Sequence, residues 1–151
     1  ATDAEPANDA EVDAAPNTPA IISSIDDQTT QFEPVGPISF DVSDAETAPA
    51  ALVVTATSSD QAVLPDASII LGGTDGQRTI TLTPQASGTA TVTITVNDGT
   101  TNSFRNFLLT VTNLAPTAAA DSFATVGNTA ITVATAEGVL ANDVDDDGDG
   151  W

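Results

Sequence analysis

The chain has 151 residues, 22 of them Asp or Glu against 2 Arg and no Lys, for a net charge of −20. With almost no positive charge there is nothing to hold phosphate, so neither nucleic acid nor insertion into an anionic membrane is expected. Cys and His are both missing, which excludes a disulfide scaffold, a zinc–thiolate site and the usual nucleophile–base pairs of catalysis.

Residues 1–19 are an Ala/Pro-rich tract carrying Asp3, Glu5, Asp9, Glu11 and Asp13. No helix or strand period runs through it, so it reads as an acidic linker or arm. It does not begin like a signal peptide, and no later segment is apolar for long enough to span a bilayer. Any leader is expected to lie elsewhere.

Residues 20–112 read as one all-β domain. Ile38, Phe40 and Val42 alternate with Ser39 and Asp41; Ile80 and Leu82 alternate with Thr79, Thr81 and Thr83; Val92, Ile94 and Val96 alternate with Thr91, Thr93 and Thr95. A period of two with threonine on one side means strands half-buried in a pleated sheet. Further strands are expected at Ile21–Ile25, Leu52–Thr57, Ser68–Leu71 and Phe104–Thr112. Turn signals separate them at Pro34 to Pro37, Asp44 to Pro49, Gly72 to Gly76, Ser87-Gly88 and Asn97-Asp98-Gly99. Gly72-Gly73-Thr74-Asp75-Gly76 lacks the lysine and helix of a phosphate loop and reads as a hairpin turn. Short strands at this spacing predict an immunoglobulin-like sandwich. Phe32, Phe40, Phe104, Phe107 and Phe123 are expected to plug cores. Arg78 and Arg105 are expected in ion pairs or on backbone carbonyls.

Residues 113–151 read as the beginning of a second domain, with strand-like segments at 118–126 and 129–134. Asn142-Asp143-Val144-Asp145-Asp146-Asp147-Gly148-Asp149 follows. Asp at alternate positions before Gly is the opening of a calcium loop, in which a hard cation gathers carboxylate oxygens and glycine makes the turn. Asp143, Asp145, Asp147 and Asp149, with Asn142, are the ligand candidates. A twelfth-position ligand is expected from outside the chain, as are the strands that would complete an incomplete second β-sandwich. Asp41, Asp44 and Glu46, with Asp98 from a loop, form a second candidate cluster. Asp44 serves equally well there as a turn former.

Two segments carry a resemblance. Asn113-Leu-Ala-Pro-Thr-Ala-Ala-Ala-Asp-Ser-Phe123, followed by Gly138-Val-Leu-Ala-Asn-Asp-Val-Asp-Asp-Asp-Gly-Asp149, resembles the start of the bacterial VCBS-type cadherin-like tandem repeat. Trp151 stands where that family usually has leucine. Ile38-Ser-Phe-Asp-Val-Ser-Asp-Ala-Glu46, Thr55-Ala-Thr-Ser-Ser59 and Val96-Asn-Asp-Gly99 are similar to immunoglobulin/cadherin-like repeats of giant bacterial surface proteins. The resemblance implies an extracellular location, calcium at the junctions between beads, and roles in adhesion, matrix or filaments. By the same analogy Asp121 would reach a junction.

The expected function is therefore non-enzymatic. It is an extracellular module of a bacterial surface or secreted protein, with partners that are neighbouring repeats or identical subunits joined by strand complementation. The alternatives are an adhesin domain binding carbohydrate or protein, and an accessory domain of a secreted hydrolase.

Overall fold

The computed structural model describes residues 16–124 together with 127, 128, 130, 132, 134, 138 and 140–145. Its strands, in chain order, are β1 (Ile21–Ile22), β2 (Gln28–Thr30), β3 (Val35–Ser43), β4 (Val53–Ser58), β5 (Ile69–Thr74), β6 (Gln77–Leu82), β7 (Gly88–Asn97) and β8 (Asn102–Val111). They form two four-stranded sheets, ordered β1-β3-β6-β5 and β2-β8-β7-β4. All pairs are antiparallel except β2, which runs parallel to β8.

The period-two pattern explains the packing. In β7, Val92, Ile94 and Val96 are completely buried, while Thr91, Thr93 and Thr95 face outward and half-exposed. Phe107, Leu109 and Val111 do the same for β8, and Ile80 and Leu82 for β6. These inward rows meet as one core with Phe40 and Val42 of β3. Leu64 reaches this core from the connection between β4 and β5. The turn that carries it is tied by Asp60, whose Oδ1 accepts the N–H groups of Ala62 and Val63.

The two arginines end on backbone carbonyls. Arg78 donates to Pro49 O at 3.0 Å and Leu52 O at 3.4 Å, and Arg105 to Ile22 O at 2.9 Å.

Three expectations need correction. The strand foreseen over Ile21–Ile25 stops at Ile22; Ser23 N donates to Asp41 O, and the chain then crosses to the other sheet as β2. Gln28-Thr29-Thr30 carries no apolar alternation, so nothing in the sequence marks it as a strand. Gly72 and Gly73 lie inside β5, and the reversal itself is Asp75-Gly76, with Asp75 at φ 53°. Phe104 and Phe123 are surface residues, 63% and 44% exposed, because Phe104 falls on the outward row of β8 and Phe123 lies outside the sandwich core.

The second domain falls partly outside the described residues, which omit 125, 126, 129, 131 and 133 of its expected strands. Residues 118–124 form no strand, and a bridge pairs Thr117 with Val144. Among the described residues no second sandwich is seen. Alanine-rich 118–120 offers too little apolar surface to stabilise a sheet by itself.

Candidate functional site: two acidic clusters

The first cluster lies at the end of the sandwich where β7 turns into β8 and β3 ends. Asp98 is 8% exposed, the only buried charged residue among those described. Its Oδ1 accepts the N–H groups of Thr100 and Thr101, both at 2.7 Å. Its Oδ2 accepts the Thr101 hydroxyl at 2.7 Å and Asn17 Nδ2 at 3.1 Å. The Thr101 backbone N–H, the Thr101 hydroxyl, the Thr100 N–H and the Asn17 amide, in that order, hold its pKa well below the usual carboxylate range. Four donors fill the lone-pair positions of both oxygens, so a cation would have to displace some of them.

Asp44 and Glu46 stand on the neighbouring loop. Asp44 Oδ1 accepts the N–H groups of Glu46 at 3.0 Å and Thr47 at 2.6 Å, the turn-forming role. Its Oδ2 is shielded from solvent and accepts no hydrogen bond from the described residues. Glu46 Oε2 accepts both the N–H (3.1 Å) and the hydroxyl (2.6 Å) of Thr18. Thr47 closes the set, donating its hydroxyl to Asp98 O at 3.1 Å. Asp41 lies apart, on the outer face of its sheet opposite Gln77.

Sequence reasoning missed Asn17, Thr18, Thr47 and Thr101. Their only signal is the polar pair Asn17-Thr18 before the first strand and threonines beside the turn aspartates. Together they fasten the incoming chain to the end of the domain.

The depressed pKa of Asp98 gives a signed prediction. A carboxylate whose folded pKa lies below its unfolded value of about 4 stabilises the fold above that pH and loses the contribution as pH falls further. Asp98→Asn is therefore expected to melt lower than the wild type at neutral pH. It is also expected to lose less stability on acidification below about pH 4. Thermal unfolding followed by circular dichroism across that range checks both.

The second cluster is the tail. Thr117 N donates to Val144 O at 2.7 Å and Val144 N to Thr117 O at 3.0 Å. Asp143 Oδ1 accepts Ala119 N at 2.8 Å, and Asn142 Nδ2 donates to Ala120 O at 3.4 Å. A bridged residue is extended, and side chains two apart on an extended segment share a face, which sets Asp143 and Asp145 on one side of Val144. Asp147 and Asp149 lie outside the described residues. Among the described residues, no group of three or more carboxylates converges as a metal site. Asp121 is exposed.

An open groove of about 470 Å³ lies over β3, β5 and β6, lined by Ser39, Asp41, Thr74, Asp75, Gln77 and Thr79 among others. Compared with known proteins, the chain matches no family model, no curated protein and no solved structure.

Proposed function

We propose that the chain is a structural module of an extracellular bacterial surface or secreted protein, an immunoglobulin/cadherin-like bead whose joints are stiffened by Ca²⁺. One observation carries this reading. The chain is fastened at Asn17 and Thr18 to the end of the sandwich where β8 begins, and it leaves at Val111, the far end of that ten-residue strand. At about 3.3 Å per residue, entry and exit are separated by about 30 Å. A domain with its ends at opposite poles joins others into a rod; one with adjacent ends would make a side branch.

The residues present suit a hard oxygen-binding cation. In the tail, Asp143 and Asp145 would contribute, joined by Asn142, Asp147 and Asp149. At the entry pole, the orphaned Oδ2 of Asp44 and the carboxylate of Glu46 would contribute, with Asp98 bracing the loop. A cation shared across a linker removes hinge freedom, so a string of beads straightens.

Calcium titration by calorimetry is expected to give a dissociation constant in the range of about 10⁻⁴–10⁻³ M, typical of extracellular modules. The double change Asp143→Asn and Asp145→Asn should abolish that heat and leave the melting of the sandwich unmoved. Small-angle scattering that is identical in calcium and in chelator would remove calcium from the proposal. In its sharper form the chain is itself a fibre subunit, completed after Asn113 by a strand from a neighbour; a chain that sediments only as monomer would end that form.

The polar groove beside Thr79 favours a second reading, an adhesin domain. Phe40, the only aromatic among the described residues lining it, is 2% exposed, so it offers no stacking platform for a sugar.

A further inference from the structure

The sandwich has four sheet edges, and three of them are blunted. β1 has two residues and β2 has three. β5 contains Gly72 and Gly73, the latter at φ +83°, which breaks a regular edge. β4 is different. Its six residues, Val53-Val54-Thr55-Ala56-Thr57-Ser58, include no charge, proline or glycine, the usual devices against strand addition.

The register shows which peptide groups are open among the described residues. Ser59 N donates to Thr91 O at 3.0 Å, so residues of the same parity, Val53, Thr55 and Thr57, bond to β7. Val54 and Ala56 therefore point their N–H and C=O groups away from β7, out of the sheet. Ser58 N is already capped by Asp66 Oδ1 at 2.7 Å, which sets one limit of the open stretch. Below this edge the inward side chains of Val54, Ala56, Ile69 and Leu71 touch the core yet stay partly exposed. A cavity of about 120 Å³ opens there, lined by Val54, Leu71, Gly72, Gly73 and Arg78. Glycine side chains are missing where β5 borders it, so the slot has room for one aliphatic group.

Charge selects the occupant. Arg78 and Arg105, the chain's only cations, are both turned onto backbone carbonyls inside the fold. Asp60 and Asp66 follow β4, and Asp75 lies beyond β5. A second copy would bring −20 against −20. A basic segment would instead be drawn to the surface and held by it.

We propose that the β4 edge is a docking site for an extended, basic polypeptide segment, which adds as a fifth strand beyond β4 and sends alternate aliphatic side chains into the slot above Leu71. Main-chain bonds to Val54 and Ala56 supply the pairing, the slot supplies side-chain selection, and flanking lysines or arginines meet the acidic surface.

The test uses the full chain, isotopically labelled and calcium-free, which keeps it independent of the metal proposal. The probe is a synthetic heptapeptide of alternating valine and threonine with lysine at both ends, beside a counterpart ending in glutamate. The lysine peptide is expected to shift the amide signals of Val54 and Ala56 and slow their hydrogen exchange. The glutamate peptide should bind roughly tenfold more weakly at low salt. Ala56→Pro removes an outward N–H without touching the bonds to β7 and should abolish binding. Thr55→Lys leaves the backbone intact and should weaken the lysine peptide by like-charge repulsion.

Three results overturn the proposal: no change at Val54 and Ala56, equal binding of the two peptides, or a concentration-dependent dimer that Ala56→Pro dissolves. The last would make a second copy the occupant.

Discussion

Ile94→Ala is expected to lower the unfolding free energy by about 2–5 kcal/mol. Ile94 is completely buried in β7, between Val92 and Val96 and opposite the inward face of the other sheet. Neighbouring strands hold β7 along its length, from Gly88–Val111 to Asn97–Asn102 on one side and from Val53–Asn97 to Ser58–Val92 on the other. The backbone therefore cannot collapse to refill the space, and the cavity cost adds to the lost transfer energy. Domains of this size have total stabilities of about 5–15 kcal/mol, so the variant sits near the limit of folding. Thr93→Ala, one residue away on the outer face, is expected to change stability by no more than about 0.5 kcal/mol. Chemical denaturation of the pair measures the contrast. Similar losses at both positions would mean that the two faces of β7 have been misassigned.

The second large effect is expected at Gly73, where alanine should cost about 2 kcal/mol or more. Gly73 has φ +83°, a conformation that L side chains rarely adopt. A Cβ there would collide with Gln77 O and lie 2.7 Å from Arg78 Cα. Both are backbone atoms of the paired strand, so relief requires opening the hairpin between β5 and β6. Gly99→Ala is the matching control: it shares a positive φ, +98°, but its Cβ would meet nothing within 4 Å. Gly99→Ala should therefore show the conformational cost alone, and the difference between the two melting curves isolates the steric part.

The same two strands show what the sequence revealed. β7 was legible because three β-branched or aliphatic residues alternate with three threonines, and a half-buried strand has that period. The turns at Asn97-Asp98-Gly99 and Asp75-Gly76 were legible because aspartate and glycine supply the needed backbone geometry. β2 was not, since Gln28-Thr29-Thr30 gains its strand character from pairing with Leu109–Val111, more than seventy residues away. Gly72 and Gly73 misled for the opposite reason. Two glycines look like a turn, yet here they let β5 pass close to Thr79 and Gln77.

Site residues divide in the same way. Asp44 and Asp98 were visible as acidic residues in turns, and both accept backbone N–H groups as turn formers do. That Asp98 also holds Asn17, 81 positions earlier, follows only from the fold. The tail motif was the plainest feature of the sequence. The structure adds the bridge between Thr117 and Val144 and the bond from Ala119 to Asp143, while Asp147 and Asp149 lie outside the described residues.

The parallel alignment of β2 with β8 has a mechanical consequence. If the two ends of the domain are pulled apart, β2, which follows β1 from the entry, and β8, the strand at the exit, are drawn in opposite directions along their shared axis. The bonds between Gln28–Thr30 and Leu109–Val111 are then sheared together instead of being peeled one after another. Rupture in that geometry demands a higher force than unzipping the same number of bonds, so the three polar residues of β2 would act as the domain's tensile latch.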